Sequence, residues 1–291
     1  MTPPRIDWRA VLPLAANHAR RETSEIGSPP SLRRIHYLLV SDPEAVSLGY
    51  VNRRSCYSRL SELTARARDA GTFPALDDQT RAVHHPYVFT GAGEAAQHAL
   101  DTFALDRWSE LRVGVALVVE KRGLVPMLRR RFDWLPVTSL SGYTSQTHRT
   151  EVAEFGNCPR AVVGLYLGDY DPSGLDIERN AQSHLPFPLL RVALTADQIA
   201  EHRLPEALPK RGDSRLGRMV ASEGSAVQVE VDALPGAVLL GLMATAIEGE
   251  TGVTIRDDGR PDLPNVDQSE TEQRDQLRAA LSDLIARGES L

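Results

Sequence analysis

The run Val162-Val163-Gly164-Leu165-Tyr166-Leu167-Gly168-Asp169-Tyr170-Asp171-Pro172-Ser173-Gly174 reads as a buried strand that ends in acid and turns tightly into a helix. Its core is apolar at successive positions rather than at alternate ones, the pattern of a strand covered on both faces in a parallel sheet. Earlier in the chain, Val115-Ala116-Leu117-Val118-Val119 is a second such run, and it ends in Glu120. From Arg112 onward strand and helix alternate: strand Val113–Val119, helix Leu124–Phe132, strands Val137–Leu140 and Ala161–Leu167, helix Asp176–Ser183, strand Leu189–Leu194. Residues 214–248 add a helix, a strand near Val227–Val231 and the helix Ala237–Ile247. This predicts an α/β fold with a helix-covered parallel sheet.

In such a sheet, ligands bind at the carboxyl ends of the strands. Glu120, Asp169 and Asp171 all fall there. Three carboxylates meeting at one rim repel one another unless a cation neutralises them. An all-oxygen set suits Mg²⁺ or Mn²⁺, which keep positions open for phosphate oxygens. Pro172-Ser173-Gly174 then supplies a turn in which glycine permits close approach of backbone and ligand. The plainer alternative is a surface Asp-Pro-Ser-Gly turn that caps a helix. Gly142-Tyr143-Thr144-Ser145, after another predicted strand, is a further candidate for the same edge.

The N-terminal part is different in kind. Residues 1–27 read as a polar helical lead-in, and Ser28-Pro29-Pro30 breaks it. Ser31 caps a helix running to about Val40. A loop is expected over 42–54 and a helix from Cys56 to Ala70, closed by Gly71. Phe73–Thr90 carries the Pro, Asp and β-formers of a wing, which makes a winged-helix module the expectation. On the first of these helices Leu32, Ile35 and Leu39 share one stripe, and Arg33, Arg34 and Tyr37 are expected to lie together opposite. An exposed phenol beside two guanidiniums has its phenolate favoured, and the same arginines can grip a phosphate. The alternative is a tyrosine packed under the wing beside solvated arginines. Glu94–Leu105 is the next expected helix. The resulting division is a lead-in over 1–28, a winged-helix domain with the candidate tyrosine over 29–92 and a connecting helix over 93–110. The acid-rimmed sheet and its extension occupy 111–248, and a linker and acidic helix occupy 249–291.

The chain of 291 residues is 42% hydrophobic, enough for one large or two modest cores. It contains no apolar run long enough to span a bilayer and no secretory core near Met1, so no membrane association is expected. Cys56 and Cys158 form no CxxC pair, as expected of a reduced, cytoplasmic protein. His84-His85 lack the partners a zinc site needs. The net charge of −6 resides in the tail: Thr245–Leu291 holds eleven acidic residues against five arginines. The remainder is neutral, and its cations are almost all arginine, a bias that GC-rich coding would also produce. Arg53, Arg54, Arg59, Arg66 and Lys121 are the candidate DNA contacts, because guanidinium favours forked bonds to phosphate.

Val118-Val119-Glu120-Lys121 together with Leu167-Gly168-Asp169-Tyr170-Asp171-Pro172-Ser173-Gly174-Leu175-Asp176-Ile177 resembles the Toprim domain of the topoisomerase VI A subunit and its meiotic break-forming relative. The resemblance implies a Rossmann-like Toprim domain after a winged helix, with Mg²⁺ held by Glu120, Asp169 and Asp171. Leu32-Arg33-Arg34-Ile35-His36-Tyr37 is similar to the family's Leu-Arg-x-x-Tyr-Tyr segment. Tyr37 matches the catalytic tyrosine, Arg33 the family arginine, and His36 stands where the first tyrosine is expected. Asp213-Ser214-Arg215 and Glu230-Val231-Asp232-Ala233-Leu234-Pro235 look like segments of short relatives.

The likeness implies Mg²⁺-dependent cleavage and rejoining of double-stranded DNA through a phosphotyrosyl link. It also implies a nucleoid-associated homodimer in which each tyrosine attacks toward its partner's metal. No Walker A pattern occurs, so an ATPase would be a separate B-type subunit, and the length is that of the stand-alone mini-A proteins. Two other expectations stay open: a hydrolytic Toprim nuclease of the plasmid- or phage-defence type, and a non-catalytic DNA-binding protein.

Overall fold

Apolar residues on both faces of every central strand require cover on both sides, and the computed structural model provides it. It describes residues 6–77, 86–140, 146–156, 158–207, 213–224 and 226–288. The chain is a mixed α/β protein built on one parallel sheet of four strands: β1 (Gly114–Val119), β2 (Val137–Ser139), β3 (Val162–Leu167) and β4 (Leu189–Ala193), in the order β2-β1-β3-β4. The order reverses between β1 and β3, a topological switch point, where the crevice beyond the strand ends opens toward ligands. Val119 pairs with Leu167 in the register, so both acid-bearing ends stop side by side.

The helices are α1 (Trp8–Ile26), α2 (Leu32–Ser41), α3 (Pro43–Ser47), α4 (Arg54–Asp69), α5 (Ala92–Thr102), α6 (Val125–Arg131), α7 (Gln146–Ala153), α8 (Pro172–Gln182), α9 (Ala196–Glu201), α10 (Leu216–Glu223), α11 (Gly236–Thr251) and α12 (Pro264–Gly288). One sheet face, with Val115, Leu117, Val119, Leu165 and Leu167, packs under α6 and under Leu239, Met243 and Ile247 of α11. The other, with Val118 and Tyr166, meets Ile177 and Ala181 of α8. A separate core joins α1, α2, α3 and α4 around Ile35, Leu39, Tyr50 and Leu60.

Several boundaries differ from expectation for local reasons. The loop expected over 42–54 contains α3, because Asp42 accepts from Glu44 N and Ala45 N while Pro43 takes the first helical position. For the same reason α8 starts at Pro172 rather than Asp176: the Asp171 side chain caps it. Near Val227–Val231 the backbone makes only isolated bridges, Tyr170 to Val229 and Ala207 to Gln228, before a 3-10 turn at Val231–Ala233. Of the expected wing, residues 78–85 lie outside the described residues. Their described flanks carry one bridge, Ser31 to Asp77. His84-His85 and Gly142-Tyr143-Thr144-Ser145 also lie outside them.

The expected linker is a docked turn. Gly259, at φ 88, lies so close to the Arg131 carbonyl that a Cβ would sit 1.8 Å from it, and Trp134 Nε1 donates to the Gly259 carbonyl at 2.8 Å. The acidic helix α12 packs along α5, held by buried Arg107, which donates to Glu270 and, at 2.9 Å, to Asp267. Both cysteines are free thiols. Among the described residues, no helix is long and apolar enough to cross a membrane.

Candidate functional site

The parallel register delivers Glu120 and Asp169 to one rim. Glu120 N donates to the Leu167 carbonyl at 2.8 Å, continuing the ladder one residue past β1. The Glu120 carboxylate then turns across the strand ends, where its Oε2 accepts from Asp169 N at 2.9 Å. Gly174 makes this packing possible: a Cβ there would lie 2.4 Å from the Asp169 carbonyl oxygen and 3.0 Å from Glu120 Oε2. Asp171, two residues on, spends Oδ1 on Gly174 N at 2.6 Å as the cap of α8. Arg191 braces the loop from below, donating to the carbonyls of Gly168 and Asp169 at 3.2 and 3.3 Å.

Asp169 is buried and doubly engaged. Its Oδ1 accepts from Val231 N at 2.9 Å and lies 2.8 Å from the Lys121 ammonium. The same ammonium touches Glu230 and lies 3.8 Å from Asp232. Lys121, a candidate DNA contact, is therefore largely buried and ringed by three carboxylates. The cause is tertiary: the segment Glu230–Asp232 folds back over the rim through the Tyr170–Val229 bridge.

Glu230 also accepts from Arg33 at 2.5 Å, which ties α2 to the rim. The Arg33 guanidinium lies 5.8 Å from the centre of the Tyr37 ring. Arg34 does not join them. It is 4% exposed, donates to Glu22 and to the Leu234 carbonyl at 2.7 Å, and lies 3.9 Å from Asp232. The expected grouping of Arg33, Arg34 and Tyr37 on an open face is thus corrected: Arg34 is a buried clamp between α1, α2 and the start of α11. Tyr37 is partly buried against the sheet-side core. Burial first, then the neighbouring Glu230 carboxylate, push its pKa up, and Arg33 and Lys121 do not reverse this. The expected stabilised phenolate is not what this arrangement favours. His36 is buried, with Nδ1 2.7 Å from the Tyr50 hydroxyl.

The remaining candidate DNA contacts fall on α4 and just before it. Arg53 and Arg54 are exposed at its start. Arg59 and Arg66 both pair with Glu62, at 2.5 and 2.6 Å.

The electrostatics of the rim are those of a site short of positive charge. Burial pushes Asp169 up to about 7; Lys121 opposes this, while Glu120 and Glu230 add to it. Burial and the nearby Asp171 also push Glu120 up. Burial works against the charge on Glu230 as well, yet Lys121 and Arg33 hold it down to about 2. Glu22, Glu120, Asp169, Asp171, Glu178, Glu230 and Asp232 stand against Arg33, Arg34, Lys121 and Arg191, seven acids against four cations.

No family model and no curated protein matches the chain. The resemblance to the topoisomerase VI A subunit is thus an expectation drawn only from the motifs around Glu120, Asp169 and Tyr37.

Among the described residues, no three Asp, Glu, His or Cys side chains already converge at ligand spacing. The expected triad is thus near one rim without enclosing one point. The donor set nonetheless fits a hard divalent cation. It is all oxygen and carries an excess of negative charge, part of which the Lys121 ammonium balances where it lies against Asp169 and Glu230. Glu230 and Asp232 are the members that motif reading left without a role. Their Glu-x-Asp spacing, echoing Asp169-x-Asp171, was the available signal.

Proposed function

We propose that the chain cleaves DNA phosphodiesters at this rim with a divalent cation, as a Toprim domain preceded by a winged helix would. One observation carries the reading. Arg33, Glu230, Lys121, Asp169 and Glu120 form a continuous chain of contacts across a topological switch point, and Tyr37 lies against its end. Glu120, Asp169 and Asp171 would hold the ion, which supplies charge stabilisation for the oxygens of the scissile phosphate. With Asp169 engaged by the ion, Lys121 would lose one carboxylate partner and donate to the phosphate. Glu230, held ionised, would keep both Lys121 and Arg33 positioned at the rim.

In the phosphotyrosyl form of the reaction the Tyr37 oxygen attacks phosphorus. A P–O bond forms to the phenol as the bond to the 3′-oxygen breaks; the phenol gives up a proton and the 3′-oxygen gains one. The second reading is hydrolysis by water, and the burial and raised pKa of Tyr37 favour it. Supercoiled DNA incubated with Mg²⁺ or Mn²⁺ and then denatured separates the two. Covalent protein–DNA adducts that vanish in Tyr37→Phe establish the tyrosine, whereas nicking that persists in Tyr37→Phe without adducts establishes hydrolysis. Absence of nicking and adducts in the wild type overturns both.

A further inference from the structure

Beside the rim lies a cavity of about 330 Å³ between α8 and α10. It begins at Pro172, the residue after Asp171, and its floor includes Leu175 and Met219. Three arginines stand around it, each aimed by an acid. Asp176 Oδ1 accepts from Arg179 Nη2 at 2.8 Å and from Arg218 Nη1 at 2.6 Å. Asp213 takes Arg215 as a fork, at 2.8 and 2.9 Å, and Arg215 Nη1 reaches Ser173 Oγ at 3.0 Å. A guanidinium has five N–H donors in a rigid plane, so anchoring part of the Arg179 and Arg218 forks orients the rest, while Arg215 is engaged at all three nitrogens and braces the turn at Ser173. The side chains of Arg179 and Arg218 remain 57% and 61% exposed. On the far wall Glu223 accepts from the Tyr170 hydroxyl at 2.8 Å, and Glu178 pairs with Arg191.

We propose that this cavity binds one nucleotide unit, with its phosphate on Arg179 and Arg218 and its base against Leu175 and Met219. Oriented guanidiniums match phosphate oxygens, and an apolar floor of this size suits an unstacked base. Glu223 offers an acceptor to the base edge. The inference rests on the phosphodiester reading: the cavity adjoins Asp171, so the unit is a neighbour of the scissile phosphate in the same strand. The same chemistry would also admit a free mononucleotide.

The test is performed in EDTA on the full chain, so binding is read without cleavage. Single-stranded DNA carrying 2-aminopurine at successive positions is titrated with protein, and dAMP is titrated separately. A fluorescence rise confined to one position places a strand nucleotide in the cavity, and saturable dAMP binding without that rise places a free mononucleotide there. In either case Arg218→Gln and Arg179→Gln each weaken the signal roughly tenfold and reduce the salt slope of binding by about one. Both positions are exposed, and unchanged melting curves establish that the variants fold. A flat response in both titrations, or wild-type affinity in both variants, overturns the proposal. Nicking without the 2-aminopurine or dAMP signal removes this cavity alone. The signal without nicking or adducts removes the cleavage reading and leaves the cavity a nucleotide site.

Discussion

The Lys121 ammonium lies 2.8 Å from Asp169 Oδ1 in a site where both side chains are largely buried. This contact compensates charge within a cluster of carboxylates. Under the proposed function an ion would compete with the lysine for the same oxygens. Removing one partner of a buried pair strands the other, at a cost of about 3–5 kcal/mol. Lys121→Met is therefore expected to melt at a lower temperature than the wild type without metal and to gain more stability from Mn²⁺. Thermal melts across a Mn²⁺ titration read both effects. An identical Mn²⁺ response in the two proteins rules out the competition.

Asp169 itself is held against its own preference. Its pKa is about 7 in the folded chain and 3.8 ordinarily. Between those values the folded state binds more protons than the unfolded state, so the contribution of Asp169 to stability falls as pH rises through this window. Asp169→Asn removes the slope. Whatever the constant loss of the Lys121 contact, the melting temperature of the variant relative to the wild type is expected to rise as pH goes from 4 to 8, and cleavage to be lost. Melts at the two pH values check the first part and nicking assays the second; a constant gap across the window counts against the buried-acid account.

Arg33 and Arg34 are neighbours in sequence with opposite roles. Arg34→Met leaves the fully buried Glu22 carboxylate without its guanidinium, and a loss of about 3–5 kcal/mol is expected. The double change Glu22→Gln with Arg34→Met recovers much of that loss. Arg33, half exposed, is expected to cost about 1 kcal/mol or less on replacement by alanine while weakening cleavage. Urea unfolding ranks the variants, and equal losses at the two positions would contradict the assignment.

Gly174 is constrained by backbone rather than by side chains. Alanine there meets the Asp169 carbonyl at 2.4 Å, so the strand end or α8 must shift. Overpacking of this kind costs about 1–3 kcal/mol. Gly241→Ala on α11 is the control: its Cβ meets nothing within 4 Å, and a gain of about 0.5–1 kcal/mol is expected. If Gly174→Ala proves as harmless as the control, the close packing of Glu120, Asp169 and α8 is wrong.

Much of the sheet was legible from the chain alone. Val115–Val119 and Val162–Leu167 are apolar on both faces, and only a helix-covered parallel sheet accommodates that, so the strands and their acid ends were readable within a residue or two. The cap of α2 was legible as well, because Ser31 acts through a bond to the N–H three residues on, whereas the Asp171 cap of α8 entered only as the plainer alternative to metal binding. The helix α3 and the docked turn at Gly259 were not anticipated. In the first, a cap inside a polar stretch outweighed the loop-like composition, and the second depends on Arg131 and Trp134, far away in sequence.

Local order along the chain determined which residues reach the rim: Glu120, Asp169 and Asp171 follow from strand ends and a turn, features that act over a few residues. Tertiary structure alone decided what they meet there. The packing of α2 against the Val231–Ala233 turn brought Glu230 and Asp232 over Lys121, sent Arg34 inward to Glu22, and set Tyr37 beside carboxylates instead of free guanidiniums. Charge is a property of the sequence, but the partner that neutralises a charge is chosen by contacts between segments far apart in it.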